Sequence, residues 1–300
     1  MPLPLESVPN ISEGRRERVL GELRQAFSSP GRLLDVHVDP DHHRSVYTLV
    51  GSRDELVETL FRGIAKAVEL IDLRRHVGAH PRIGAADVVP LVPLDPRQEP
   101  DACRAALALA DRIAAELGLP VFFYGRLTDD RREPAFLRRG GPEELQRRIN
   151  AGELAPDRGP SELHPTAGAV IVGVRRPLIA FNVNLRSRDV EIARDISRVV
   201  RERDGGLTGV RALGLELPRA GLVQVSMNIT DWQATPPHEV VARIAAEAAA
   251  RGVEVAGSEL VGLIPAGAVV AAARGPLRLA DLDASRVLEL RLLEGSESAE

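Results

Sequence analysis

The chain has 300 residues, 44% of them hydrophobic and 27% charged, with a formal net charge of −4. That balance describes a folded globular protein, and without a long basic run it argues against a nucleic-acid binder. Cys103 is the only cysteine, which rules out an internal disulfide and a Cys-rich zinc site; no apolar run nears the roughly 20 residues that cross a bilayer.

The opening "MPLPLESVPN" lacks the basic-then-apolar pattern of a signal peptide, so a soluble cytoplasmic protein is expected. Within it "LPLESVP" reads as a strand. "EGRRERVLGELRQAF" follows as a helix with Val19, Leu20, Leu23 and Phe27 on one face. "RLLDVHV" and "RSVYTLVG" are strands joined by the turn residues "DPDHH". "SRDELVETLFRGIAKAVELI" predicts a helix capped by Ser52, with Leu56, Leu60, Phe61, Ile64, Val68 and Ile71 as its apolar stripe. "ADVVPLVP" is the next strand. The order is β-α-β-β-α-β, the split βαβ or ferredoxin-like arrangement. A helix at "PDACRAALALADRIAAELG" and a strand at "PVFFYG" extend it.

Residues 126–168 are charged and rich in Gly and Pro. They read as an excursion or linker with one short helix near "PEELQRRIN". Strands "AVIVGV" and "LIAFNVNL" come next, then the helix "DVEIARDISRVVRER", where Ile192, Ile196 and Val199 share a face. "VRALGLEL" and "GLVQVSMNIT" form a hairpin; the helix "PHEVVARIAAEAAARG" and the strand "VEVAGSELVGL" complete a second β-α-β-β-α-β series. The expected architecture is α+β, with two ferredoxin-like subdomains at residues 1–178 and 179–300. The chain ends in a polar tail, "LRLLEGSESAE", expected to be disordered.

The polar residues concentrate in a few loops. In "RRHVGAHPRIGAADVVP", Gly78 predicts the end of the preceding helix, and Pro81 biases His80 away from the helical region. His80 then sits on an extended turn before a buried strand, where an imidazole titrating near neutrality serves as general acid and base. The bland reading makes His76 and His80 solvated residues at a helix end. In "HVDPDHHR", His37, Asp39, Asp41, His42 and His43, taken with His76 and His80, offer the donors of a metal site; a hydrated hairpin turn is the favoured alternative. "GPSELHPTAG" and "RDGGLTGVRALG" are glycine-rich connections that match neither a P-loop nor G-x-G-x-x-G. Trp232 either stacks on a planar ring or covers the end of a core.

Taken together, "VPNISEGR", "RSVYTLVG", "RHVGAHPRIGAADVVP", "GPSELHPTAG", "LIAFNVNL", "LVQVSMNITD" and "GSELVGLIP" resemble the formiminotransferase family, in order and spacing and over nearly the whole chain. The resemblance implies two ferredoxin-like subdomains with the ligand site between them. It implies transfer of the formimino group from N-formimino-L-glutamate to tetrahydrofolate, giving 5-formiminotetrahydrofolate and glutamate in histidine breakdown. His80 falls on the family's catalytic histidine. One folate-binding segment falls on Gly159, Pro160, Ser161, Glu162, Leu163, His164, Pro165, Thr166, Ala167 and Gly168. The other falls on Gly205, Gly206, Leu207, Thr208, Gly209, Val210, Arg211, Ala212, Leu213 and Gly214.

His37 stands where the family places a carboxylate that supports the catalytic histidine, and Asp39, two residues on, shares its strand face and is the expected substitute. Arg82 is expected, from chemistry, to take a substrate carboxylate bidentately. Tetrahydrofolate is then the acceptor, no metal is expected, and the resemblance implies a homodimer whose product goes to a separate cyclodeaminase. Three alternatives stay open: N-formylglutamate as donor, a metal-dependent hydrolase, and a folate binder without catalysis.

Overall fold

The computed structural model describes residues 3–78, 80–129, 132–277, 279 and 282–287. The chain forms two compact units, Leu3–Pro177 and a second beginning at Leu178. Among the described residues no helix is long and apolar enough to cross a membrane. The terminal tail expected to be disordered, residues 290–300, lies outside the described residues.

The first unit runs β1 (Leu5–Ser7), β2 (Asn10–Ile11), α1 (Glu17–Ala26), β3 (Arg32–Asp39), β4 (Arg44–Gly51), α2 (Arg53–Leu70), β5 (Ala86–Pro93), α3 (Glu99–Leu117) and β6 (Val121–Gly125). It continues through α4 (Pro134–Arg138), α5 (Gly141–Asn150) and β7 (Val170–Val174). β1 pairs antiparallel with both β4 and β5, and β3 pairs with β4, giving the order β5-β1-β4-β3; β7 and then β6 add in parallel beyond β5.

Local chemistry explains the helices. Ser52 accepts from the Glu55 backbone N–H, and the Glu55 carboxylate accepts from the Ser52 N–H, a complete capping box. The α2 stripe Leu56, Leu60, Ile64 and Ala67 is fully buried against Phe27, Tyr47, Leu49, Leu109 and Ile113. Each of these larger aliphatic side chains contributes about 1.5–3 kcal/mol by leaving water.

Residues 126–168 are not a linker. Two helices form there, and Leu137, Leu145 and Ile149 pack on Ile83, Phe122, Tyr124 and Ile171 as a second core on the far face of the sheet. The helix expected near "PEELQRRIN" is α5, and α4 is the addition; its anchors are few and lie on strands distant in sequence.

The second unit runs β8 (Ile179–Leu185), α6 (Val190–Val200), β9 (Val210–Leu217), β10 (Leu222–Ile229), α7 (Pro237–Ala249), β11 (Val255–Val261) and α8 (Ala266–Leu277). Its strands lie in the order β11-β8-β10-β9, all antiparallel. The buried stripe of α6 is Ala193, Ile196 and Val200, so Ile192 and Val199 flank it rather than define it. α8 was not expected: an alanine-rich stretch with Pro276 near its end gives little amphipathic signal. Trp232 packs on this unit's core, close enough to Gly267 that a Cβ there would lie 2.7 Å from the indole.

Candidate functional site

Strand pairing prepares one polar sheet face in the first unit. Asp35, His37 and Asp39 of β3 pair directly with Thr48, Val46 and Arg44 of β4, so these side chains share a face, while Tyr47 and Leu49 enter the helix-covered core. The tip of this hairpin, residues 40–43, ends in His43 with φ of 49°, an uncommon backbone conformation outside glycine.

The loop carrying His80 crosses this tip. α2 ends at Leu70, and a short 3₁₀ turn at Leu73–Arg75 leads into the loop. Gly78 does not end the helix. It marks the crossing: a Cβ there would lie 2.4 Å from the His42 carbonyl oxygen, so only glycine fits.

Arg82 fastens the two segments. Its Nε donates to the His80 carbonyl at 3.1 Å, and Nη2 donates to the carbonyls of His42 (2.6 Å) and His80 (2.9 Å). Nη1 donates to the His43 carbonyl at 2.9 Å and to His76 Nε2 at 2.8 Å. All five guanidinium N–H groups are therefore engaged within the protein. This corrects the expectation that Arg82 receives a substrate carboxylate: it braces the loop that presents His80.

Four histidines surround the brace in distinct states. His43 stacks on His76 with ring centroids 3.9 Å apart. Burial, then Arg82 and His43, push the His76 pKa down to about 4, so its ring is neutral; its Nε2 lies 2.8 Å from Arg82 Nη1 and 2.9 Å from the His43 carbonyl. His43 faces the Val77 carbonyl through Nδ1 at 3.1 Å and Glu13 Oε1 through Nε2 at 3.2 Å. Glu13 is itself buried and accepts from the backbone N–H groups of Gly14, Arg15 and Arg16 and from the Arg16 side chain. Burial works to raise its pKa, but these donors outweigh it and hold the carboxyl below the usual range.

His42 is buried. Its backbone N–H donates to Asp39 Oδ1 at 2.8 Å, and its Nδ1 donates to Asp39 Oδ2 at 2.7 Å. Asp39 is thereby an anion below the ordinary carboxylate range, because His42 outweighs the cost of burial. Asp39 thus orients His42 rather than His80. His42 Nε2 is buried without a hydrogen-bond partner among the described residues, and the ring stands edge-on to His80 at 6.0 Å between centroids.

His80 is partly exposed. Its Nδ1 meets the Pro81 carbonyl at 2.8 Å. A carbonyl only accepts, so Nδ1 carries the hydrogen and Nε2 presents a lone pair. Burial, followed by the nearby charges of Arg44 and Arg138, holds the His80 pKa well below 6.5. The ring is therefore held neutral at pH 7, which corrects the expectation of an imidazole titrating near neutrality. Among the described residues, His42, His43, His76 and His80 do not together form a three-ligand set: His43 Nδ1 faces the Val77 carbonyl, His76 Nε2 faces Arg82 and the His43 carbonyl, and Asp39 holds His42 Nδ1.

The segment 159–168 reaches the same loop from the other side. His164 and Gly168 close a tight turn by mutual backbone hydrogen bonds, and His164 Nδ1 accepts from the Ala167 N–H at 3.1 Å. The turn docks on residues 73–85: the Leu73 N–H donates to the Thr166 carbonyl and the Ala85 N–H to the Ala167 carbonyl. A Cβ on Gly84 would lie 1.9 Å from the Ala169 carbonyl oxygen, so this docking also needs glycine. Gln146 of α5 accepts from the Leu163 N–H and donates to the Ser161 carbonyl, holding the exposed part of the segment. Segment 205–214 belongs to the second unit, where it turns from α6 into β9; Gly214 lies under α6, with no room for a Cβ beside Arg194.

Two charged groups that act on His80, Arg44 and Arg138, and the Asp87 that pairs with Arg138 were not anticipated. Asp87 accepts from the Ile83 N–H at 2.7 Å and from Arg138 Nη2. A separate cleft of about 390 Å³ between α2 and α3 involves Arg53, Glu58, Arg104 and Arg112, whose charges already pair with Asp54, Arg112, Asp101 and Glu58 respectively. It involves none of the groups around His80.

Residues 4–175 match the model of the formiminotransferase domain, N-terminal subdomain, and residues 180–281 match that of the formiminotransferase domain. The chain belongs to the formiminotransferase family. It is 40% identical to a glutamate formimidoyltransferase of Thermoplasma acidophilum, covering 96% of this chain and 97% of the relative. It is 38% identical to the enzyme of the same name from Streptococcus pyogenes, over 96% and 98%. The formimidoyltransferase-cyclodeaminase of Sus scrofa is 40% identical over 90% of this chain and 51% of its own length.

Proposed function

We propose that this formiminotransferase moves the formimino group of N-formimino-L-glutamate to tetrahydrofolate, yielding 5-formiminotetrahydrofolate and L-glutamate, with His80 as general acid and base. The observation that carries the role is the state of His80: a neutral ring at the end of a braced loop, its Nδ1–H tied to Pro81 and its Nε2 lone pair available. The N5 nitrogen of the reduced pterin attacks the formimino carbon and forms a tetrahedral adduct. Nε2 takes the N5 proton and returns it to the glutamate nitrogen, whose bond to carbon then breaks. Such assistance contributes about 10²- to 10⁴-fold in rate.

Residues 159–168 and 205–214 are read as the folate-contacting segments. The strand orders β5-β1-β4-β3 and β11-β8-β10-β9 are read as two ferredoxin-like sheets, the first extended by β6 and β7. The test is transfer to tetrahydrofolate from formiminoglutamate and, in parallel, from formylglutamate, with wild type beside His80→Ala. Turnover of the formimino donor, reduced at least 10²-fold in the variant with folate binding retained, is the expected result. Turnover of the formyl donor alone would change the substrate. Folate binding with no turnover of either donor would overturn the enzymatic assignment.

A further inference from the structure

The polar sheet face holds more positive charge than its carboxylates balance. Arg44, Arg82 and Arg138 act on one another, and Asp39 and Asp87 are the carboxylates acting on Arg44. Both carboxylates are already committed. Asp39 spends its two oxygens on the N–H and Nδ1–H of His42, and Asp87 spends its two on the Ile83 N–H and Arg138 Nη2. Arg82 has no donor to spare.

Arg44, directly opposite Asp39 in the β3–β4 register, makes no ion pair within 4 Å and no side-chain hydrogen bond among the described residues. Its Nε is buried without an acceptor, as is the Nε of Arg138, while the Arg44 side chain as a whole is only partly buried. Burial, then Arg138, push the Arg44 guanidinium down to about 9, which still leaves it charged at neutral pH. An arginine held among other cations with unpaired donors is costly unless an anion completes it. His80 lies in the same cluster, since both Arg44 and Arg138 act on its charge.

We propose that Arg44, with the unpaired edge of Arg138, forms an anion subsite that takes a carboxylate of an acidic amino-acid donor and sets its N-substituted end against His80. The subsite rests on the transferase reading for its substrate, and on Arg44's missing acceptors for its place. A guanidinium fits this task because it grips a carboxylate through two parallel N–H bonds, whereas an ammonium is a point charge. An acidic donor is thereby preferred to its amide, which would leave the arginines uncompensated.

Arg44→Gln and Arg44→Lys test this in the full-length protein. Saturating tetrahydrofolate and a series of formiminoglutamate concentrations should show the donor KM raised roughly 10- to 100-fold in Arg44→Gln, the range of a lost charged hydrogen-bond pair, and less in Arg44→Lys. The KM for tetrahydrofolate should stay within twofold, estimated as about the scatter of neutral surface changes. Calorimetric titration with L-glutamate and L-glutamine supplies a readout free of turnover: wild type should prefer glutamate and Arg44→Gln should lose the preference.

If wild type turns over and both variants keep its donor KM, the subsite is wrong and the reaction stands. If wild type does not turn over yet prefers glutamate through Arg44, the subsite stands and the reaction assignment falls. A rise in tetrahydrofolate KM with donor KM unchanged would also overturn the proposal. Should Arg44→Gln fail to fold, Arg44→Lys, which keeps the charge, decides by the same two readings.

Discussion

The two units share a strand order and differ in what their polar sheet faces carry. In the second unit, Ile179, Val183, Leu185, Val223, Val225, Met227 and Ile229 fill the helix-covered core. The alternate residues Asn182, Asn184, Gln224, Ser226 and Asn228 face the other way. That face is mostly amide and hydroxyl, with Gln224 Nε2 donating to Asn184 Oδ1 at 2.9 Å and Asn182 Nδ2 donating to Glu259 at 3.0 Å. The corresponding face of the first unit carries His37, Asp39 and Arg44, overlaid by the His80 loop. One sheet plan can thus hold mainly amide and hydroxyl groups, with Arg211 and Glu259 on its outer strands, or a cluster of shifted ionisable ones. What separates them is the β3–β4 tip and the α2–β5 loop, clamped together by a single arginine.

The sharpest way to break that contrast is to remove the clamp. Arg82→Met strips partners from the carbonyls of His42, His43 and His80 at once, and each buried acceptor left unpaired costs about 1–3 kcal/mol. We expect a kcat loss of at least about 10², comparable with losing general acid–base assistance, together with a lowered urea midpoint. The surface pair Arg194–Glu191 of the second unit is the control, because exposed ion pairs contribute about 0–1 kcal/mol. If Arg194→Ala cost as much as Arg82→Met, the contrast between the units would be lost. Next in size is Gly84→Ala. The added methyl must displace the Ala169 backbone, and overpacking of this kind costs about 1–3 kcal/mol. The lowered melting temperature should be accompanied by weaker folate binding, since the 164–168 turn is hung on residues 83–85.

How much of this was legible beforehand depended on the range of the interaction. The α2 cap and stripe involve residues three or four apart, so Ser52, Leu56, Leu60 and Ile64 are legible in the sequence. His80 was legible as a histidine before a proline and a buried strand. The role of Arg82 was not. The partners that join the two segments, the His42 and His43 carbonyls, lie about 40 positions away and are backbone groups, which any residue supplies. Arg44 carries no signal in the sequence, because its missing acceptors appear only once Asp39 and Asp87 are seen to be committed elsewhere. The helices within 126–168 were half hidden for the same reason: Leu137, Leu145 and Ile149 mean little until Phe122, Tyr124 and Ile171 lie beneath them.

Asp39 sharpens the comparison at a finer scale. It bonds His42 on two sides, and His42 stands edge-on to His80, so its influence on the reaction should pass through His42. Asp39→Asn should lower kcat by about tenfold, an effect of the size found for residues in one hydrogen-bonded network. In a His42→Gln background the same change should add little. An undiminished effect there would mean that Asp39 acts on His80 directly.

The smallest expected effect concerns acid. His76 has an ordinary pKa of 6.5 and is held near 4 in the folded chain, chiefly by burial and then by Arg82. Between those two values the unfolded chain binds a proton that the folded chain refuses, so stability falls as pH drops from 6.5 toward 4 and is unaffected above that window. The ceiling for one group is about 1.4 kcal/mol per pH unit, and the partly exposed ring keeps the effect below it. His76→Gln, whose side-chain oxygen can still accept from Arg82, should flatten this slope without changing stability at pH 8. Hydrogen exchange of the amides of residues 82–85 at pH 5 and pH 8 would read it locally. Equal acid sensitivity in wild type and variant would move the cause to His80, which burial and the charges of Arg44 and Arg138 also keep neutral. The acid limb of kcat would then report the same proton as the stability curve. With His76 as the cause, the two should separate, stability changing in the variant while the activity profile stays in place.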